Sequence, residues 1–238
     1  MGNLINHLDP KLYTGKSLEE LRAAQERFEA KHKGTDPQPD VEYLKKVHAK
    51  FEPIMEPTLH NVKTIFMKFV RIYEEDSKQP WSLEYVKTQY RQICEYLLEL
   101  ILGNTEQGIM LYGVSGTGKT TLIKKFFLPT YRAFAGGNYI SVIPSSEIVS
   151  RKPELIGTIH KQIAIDDLGM ELNYSRSVGT WVVQKPEIAD DVYYILEKRM
   201  TAGLITHVTT NISMTDLPKI YGKRFEWRLE KSFYPVQF

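Results

Sequence analysis

Residues Gly113-Val114-Ser115-Gly116-Thr117-Gly118-Lys119-Thr120 satisfy the spacing Gly-x-x-x-x-Gly-Lys-Thr, the pattern of a phosphate-binding P-loop. Glycines at 113, 116 and 118 let the main chain bend until its N–H groups converge on phosphate oxygens. A helix starting straight after the loop turns its positive end to the same point. In that arrangement the Lys119 ammonium reaches the β- and γ-phosphates of a nucleotide, and the Thr120 hydroxyl ligates Mg²⁺. Thr121 opens the helix and belongs to the same expected nucleotide-binding set. Glycine-rich turns without a ligand also join strands to helices, but the Lys-Thr ending and the apolar flank set this one apart.

Three further groups hold the residue types that phosphoryl chemistry uses. Ile163-Ala164-Ile165-Asp166-Asp167 is an apolar run that delivers two carboxylates at its end. Asp166 is expected to hold Mg²⁺ directly or through its water, and Asp167 to orient or deprotonate an attacking water. A strand-ending Asp-Asp is also a common turn; its place after a P-loop favours the catalytic reading. Val208-Thr209-Thr210-Asn211 ends in an amide that can stand beside the γ-phosphate, or can cap a helix starting at Ile212 and Ser213. Arg224 and Arg228 are four apart and share one helical face. Either is solvated, pairs with Glu226, Glu230 or another acid, or reaches a neighbouring subunit's nucleotide as an arginine finger.

The elements that must position these groups follow from periodicity. Ile109 to Tyr112 read as a buried strand before the loop, and Thr121 to about Phe134 as the helix after it. Strands are expected at 139–143, 161–165, 204–209 and, closing the chain, 233–238. A short helix is expected from a Ser145 cap, a long one at 187–200, and one continuous helix over 217–229. Leu83 to Leu102 form a helix with Val86, Tyr90, Ile93, Leu97 and Leu100 at core spacing, ended by Gly103-Asn104. Helix alternating with strand implies a parallel sheet covered on both faces. In such sheets ligands gather at the carboxyl ends of the strands, where the loop, the Asp166-Asp167 pair and Asn211 fall.

Residues 1–80 read as helical and polar. Ser17 with Glu20 resembles a capping box, and 34–40 (Gly-Thr-Asp-Pro-Gln-Pro-Asp) a linker. Leu18, Leu21 and Phe28 form an apolar stripe that either docks on this chain or on a partner. Helical spacing resumes over 41–51 and again over 59–73, where the aromatics suit a core better than a base-stacking platform. The charged stretch 74–80 marks the expected boundary between a helical N-terminal region, 1–80, and an ATPase domain, 81–238.

Composition narrows the classes. The chain has 238 residues, a net charge of +2, and neither half is strongly basic: 13 Lys+Arg against 13 Asp+Glu fall before Pro80, and 18 against 16 after it. Composition therefore does not argue for nucleic acid, though local basic patches can still form. No apolar run nears the roughly 18 residues of a membrane helix, and the first residues lack a secretory pattern. Gly2 suggests myristoylation, but His7 stands where that motif needs Ser or Thr. A single cysteine, Cys94, rules out an internal disulfide and reads as a buried thiol; no zinc cluster is visible. A cytoplasmic location is expected.

Taken together, Gly113–Thr120, Ile163-Ala-Ile-Asp-Asp-Leu-Gly169, Thr209-Thr-Asn211 and Gly222-x-Arg-x-x-x-Arg228 resemble the DnaC/IstB branch of AAA+ ATPases, over about residues 81–238. The branch comprises helicase loaders and the ATPase helpers of some transposons. The resemblance implies an AAA+ P-loop fold with a parallel five-stranded sheet, ATP and Mg²⁺ as cofactors, and an oligomer that forms with ATP. It also implies DNA, single- or double-stranded, and a replicative helicase or transposase as partners. By position Lys119 and Thr120 match Walker A, Asp166 and Asp167 Walker B, Asn211 sensor 1, and Arg228 the finger with Arg224 as alternate. The helical lid of larger relatives and their later arginine are not expected here. The insertion 173–185, with Ser175-Arg176-Ser177 and Trp181, departs from the pattern.

The first functional expectation is thus a slow, DNA- or partner-stimulated ATPase of the helicase-loader type. A transposition helper that binds duplex DNA is the alternative on the same fold. A P-loop small-molecule kinase and a nucleotide-gated binding module complete the field.

Overall fold

The computed structural model describes residues 56–78, 87–135, 140–156, 162–172, 175–177, 180–182 and 186–238. The expectations for 1–55, including the capping box, the linker and the apolar stripe, lie outside these residues, as do the start of the helix at Leu83 and its Val86.

Strand β1 (Gly108–Tyr112) sits inside a five-stranded sheet. Its partners are β2 (Ser141–Pro144), β3 (Gln162–Leu168), β6 (Ile205–Thr210) and β7 (Phe233–Gln237), in the order β2-β3-β6-β1-β7. Every pairing is parallel. The sequence dictates this: Ile109, Met110 and Leu111 are buried on both faces, as only a strand covered on two sides requires. Gly108 is needed for strand approach, since a Cβ there would lie 1.8 Å from the Thr206 carbonyl oxygen on β6. With the P-loop joining β1 to its helix, the chain has the α/β architecture of a P-loop NTPase.

Helices fill the two faces. On one lie α1 (Leu59–Ser77), α2 (Lys87–Leu102) and the P-loop helix α3. Helix α3 is α-helical at Lys119–Thr121, π-helical at Leu122–Phe127 and α-helical again at Leu128–Phe134. The opposite face carries α4 (Lys152–Ile156), α5 (Pro186–Thr201), α6 (Leu217–Tyr221) and α7 (Arg224–Ser232). The outer strands β4 (Ser175–Ser177) and β5 (Thr180–Val182) form a separate antiparallel pair within the insertion. Among the described residues no helix is long and apolar enough to cross a membrane.

Helix α1 lies before the expected boundary near residue 80, yet it shares a core with α3. Phe66 meets Phe126 at 5.8 Å between ring centroids, and Tyr73 meets the same ring edge-on at 5.5 Å. Phe66 and Phe69 are fully buried, so these aromatics are core. Thr58 caps α1 by accepting from the Asn61 N–H. Helix α2 ends as its Gly-Asn predicts: Gly103 takes φ 74°, Asn104 N–H donates to the Glu99 carbonyl and Gly103 N–H to that of Leu100, a Schellman close. Cys94 is buried, and burial pushes its thiol up to about 12.

Three expectations are corrected. The helix over 217–229 is two helices, because Gly222 at φ 91° and ψ 154° leaves helical space between α6 and α7. The strand expected at 139–143 runs over Ser141–Pro144. Ser145 opens a 3₁₀ turn, Ser145–Glu147, without a side-chain cap.

At the centre of the sheet His207 is wholly buried and its Nδ1 accepts the Ile109 N–H at 3.2 Å. Burial, helped by the Arg199 charge, lowers its pKa to about 3. The folded state therefore stays unprotonated there down to about pH 3, while an unfolded histidine takes up its proton near 6.5. The unfolded state binds more protons across that window, so stability falls as pH drops. We expect wild type to lose roughly 1.4 kcal/mol per pH unit relative to His207→Asn well below pH 6.5, read from urea unfolding at several pH values.

Candidate nucleotide and magnesium site

The loop between β1 and α3 adopts the conformation its glycines permit. Gly113, Gly116 and Gly118 have φ of 132°, 82° and 86°. Gly113 also carries a steric demand: a Cβ there would lie 1.9 Å from the Phe238 carbonyl oxygen. Phe238 extends the line of β7, donating its N–H to the Tyr112 carbonyl at 2.8 Å and accepting from Val114 N–H at 3.4 Å. Val114, Ser115 and Gly116 face solvent at the crest.

Lys119 is buried, and its ammonium donates to the carbonyls of Gly113 (3.1 Å) and Val114 (2.7 Å) and to Thr117 Oγ1 (3.3 Å). Burial lowers its pKa, while the nearby Asp167 charge opposes the shift. The cation is thus held within the loop, where phosphate oxygens are expected.

Strand β3 brings its carboxylates under this loop. Thr120 Oγ1 donates to Asp166 Oδ1 at 2.8 Å, joining the two motifs directly. Thr209 Oγ1, fully buried on β6, donates to the same oxygen at 2.7 Å. Lys124 Nζ lies 2.6 Å from Asp166 Oδ2. Asp167 stands on an irregularity in the β3–β6 register, between Ile165 and Leu168, with φ 57°. Its N–H donates to Thr209 Oγ1 at 2.8 Å. That irregularity turns the two adjacent carboxylates away from simple in-and-out alternation. Burial raises the Asp167 pKa first and the Asp166 charge raises it further; Lys119 and Lys124 pull it back.

These groups fit a magnesium nucleotide. Mg²⁺ prefers hard oxygens and takes one or two carboxylates plus phosphates and waters, not an all-protein cage. A hydroxyl and a carboxylate in contact beneath a phosphate loop match that need. No group of three or more His, Cys, Asp or Glu poised to hold a metal occurs among the described residues.

The remaining expected residues divide. Asn211 follows β6, which lies between β1 and β3, so it stands at the shared carboxyl end of the three strands. It caps no helix: Ile212 N–H donates to Thr210 Oγ1, and the next helix starts at Leu217. Arg224 and Arg228 are on α7, across the sheet from α3. Arg228 pairs with Glu197 of α5 at 3.2 Å and lies over the Trp227 ring at 5.2 Å. Arg224 is exposed and lines a concavity of about 480 Å³ with Asp190, Tyr194 and Glu197. Among the described residues neither arginine bonds to the P-loop or to the aspartates of its own chain.

Sequence reasoning missed Thr209, Lys124 and a buried network around Glu171. Glu171 accepts from Gly169 N–H at 2.8 Å and from the Tyr221 hydroxyl. Burial raises its pKa, and the Tyr221, Gly169 and Ser145 donors oppose the shift. It ties the turn after Asp167 to α6. A signal existed for Lys124, which follows Thr120 by four and so shares its helix face. For Thr209 and Glu171 no local pattern exists; their roles come from strand adjacency.

No family model matches the chain, and no curated protein does. Among solved structures it is similar to a crystal structure of DnaI, at 21% identity and a TM-score of 0.46 over 63% of this chain and 85% of that one. It is also similar to the DnaC helicase loader, at 17% identity and a TM-score of 0.46 over 63% and 90% of the two chains. AMPPCP-bound DnaA from Aquifex aeolicus aligns at 17% identity and a TM-score of 0.44, over 64% of this chain and 46% of that chain. At such distance these likenesses carry no functional argument.

Two substitutions probe the geometry. Thr209→Val removes a donor to a buried carboxylate and an acceptor for a main-chain N–H; a stability loss of about 1–3 kcal/mol is expected, with Thr209→Ser largely spared. Gly113→Ala forces a Cβ onto a main-chain oxygen at a positive φ, so it should lower the melting temperature in the absence of any nucleotide.

Proposed function

We propose that the chain is an ATP-binding and ATP-hydrolysing protein of the AAA+ class, of the DnaC/IstB type, acting in DNA replication as a helicase loader. The observation that supports the nucleotide part is the 2.8 Å contact between Thr120 Oγ1 and Asp166 Oδ1, the two groups read as the Walker A hydroxyl and the Walker B carboxylate. The replication part rests on the resemblance of the motifs from Gly113 to Arg228.

In this reading residues 113–121 bind the phosphates through main-chain N–H groups and the α3 N-terminus. Lys119 turns its ammonium from the Gly113 and Val114 carbonyls toward phosphate oxygens. Thr120 and Asp166 would hold Mg²⁺, which would supply charge neutralisation at the transferring phosphoryl group. Asp167 orients the water and takes its proton; a carboxylate whose pKa burial has raised is the stronger base. Asn211 supplies an amide beside the water. Arg228, with Arg224 as the alternate, reaches the nucleotide of a neighbouring copy once its hold on Glu197 is released. That half-exposed pair is worth little, about 0–1 kcal/mol, so its rupture does not oppose assembly strongly. Within the expected region 1–80, the part before α1 is the proposed docking region for a protein partner, a helicase or, in the second branch, a transposase, since α1 itself packs on α3.

Binding of a fluorescent ATP analogue, steady-state hydrolysis and DNA response test this together. Lys119→Ala should lose nucleotide binding. Asp167→Asn should keep binding and lose turnover by roughly 10²-fold or more, as for a general base; unchanged turnover would remove Asp167 from the mechanism. Hydrolysis should rise with added DNA, and phosphorylation of a small acceptor with no DNA response would instead support a kinase. Mixing Arg228→Ala with Lys119→Ala subunits should restore part of the activity, and no recovery would sink the trans-acting assignment. Co-purification of a replicative helicase supports the loader role, and of a transposase the helper role.

A further inference from the structure

Lys124 stands outside every motif, yet it contacts the carboxylate on which the site depends. Its ammonium lies 2.6 Å from Asp166 Oδ2, with the lysine side chain 40% exposed and the aspartate side chain 9% exposed. The other oxygen, Oδ1, already accepts from Thr120 and Thr209. A carboxylate oxygen has two lone pairs, so Oδ1 is filled and a metal at Asp166 has to approach Oδ2, within a few ångströms of the Lys124 ammonium. Lys124 holds that oxygen.

Its position follows from the helix. Thr120 and Lys124 are separated by four residues, and helical side chains lean toward the N-terminus, so both reach back to the tip of β3. The π-helical segment Leu122–Phe127 carries Lys124, while Leu122, Ile123, Phe126 and Phe127 are buried. The core therefore fixes the helix on either side of Lys124 and leaves its ammonium the mobile partner.

We propose that Lys124 is a built-in competitor of Mg²⁺ for Asp166: before the metal arrives it offsets one of the two charges of the Asp166-Asp167 pair, and its own positive charge opposes a second cation at Oδ2, so that it is displaced when Mg²⁺ binds there. This assignment rests on the reading of Asp166 as the magnesium carboxylate. Two consequences have opposite sign. With the ammonium gone, Mg²⁺ meets no rival at Oδ2 and its apparent affinity rises. Without metal, the uncompensated carboxylates repel the phosphates, and metal-free nucleotide binding weakens. A lysine with a merely structural role would not move the two in opposite directions.

The test is a Mg²⁺ titration of fluorescent-nucleotide binding to the full chain, with the same nucleotide also titrated in EDTA. For Lys124→Met the Mg²⁺ half-saturation should fall about three- to tenfold, the range expected for a partly screened ion pair, and the affinity in EDTA should drop by a similar factor. Lys124→Arg should stay near wild type. Lys124→Gln carries the same expectation as Lys124→Met and replaces it should the methionine variant aggregate. Unchanged or raised Mg²⁺ half-saturation in a folded, nucleotide-binding variant overturns the competitor role while leaving the site reading intact. Wild type whose nucleotide binding ignores Mg²⁺ overturns the site reading and this assignment with it.

Discussion

The carboxylate of Asp166 is the point on which the structure turns. Through Oδ1 it joins the start of the P-loop helix, by Thr120, to strand β6, by Thr209. Through Oδ2 it holds Lys124 on the next turn of the same helix. A charge this deeply buried is costly unless its oxygens are paired, and removing any one partner leaves part of that cost exposed. Three segments far apart in sequence are thereby fixed in one relation. The parallel sheet makes it possible: β6 separates β1 from β3, so its tip is where a hydroxyl can reach across.

The same tie explains why Asp167 departs from regular strand geometry. Thr209 uses one oxygen twice, as donor to Asp166 and as acceptor from the Asp167 N–H. Satisfying both draws Asp167 into a positive φ, a conformation an unbranched short acid tolerates better than most residues. The strained Asp167 and the ordered Asp166 thus share one partner, Thr209. In the reading proposed here, that strain separates two adjacent carboxylates into different duties.

Much of this was legible in the sequence. The loop, its strand, its helix and the Asp-Asp strand tip follow from glycine spacing and from apolar runs of the right length. The Gly103-Asn104 stop was equally plain, because capping is a matter of nearby residues. What escaped notice depends on contacts between distant segments. The break at Gly222 was missed because the apolar spacing on either side continues across it. Helix α1 was set apart by a charged stretch, though its aromatic face completes the core beneath α3, and charge along the chain says little about packing across it. Lys124 belongs to no motif, and only its four-residue offset from Thr120 hints at its contact with Asp166.

The main-chain contact between Phe238 and the P-loop links the loop to α7. Helix α7 runs straight into β7, and β7 leads to Phe238, whose carbonyl rests where Gly113 has no side chain. Two main-chain hydrogen bonds, to Tyr112 and from Val114, fasten that junction. Helix α7, which exposes Trp227 and Arg224 to solvent, is thus joined to the first residues of the loop through a single strand bonded to β1 along its length. The outer surface on one side of the sheet and the phosphate loop at its edge are therefore built from one continuous stretch of chain, 224–238, rather than from separate parts.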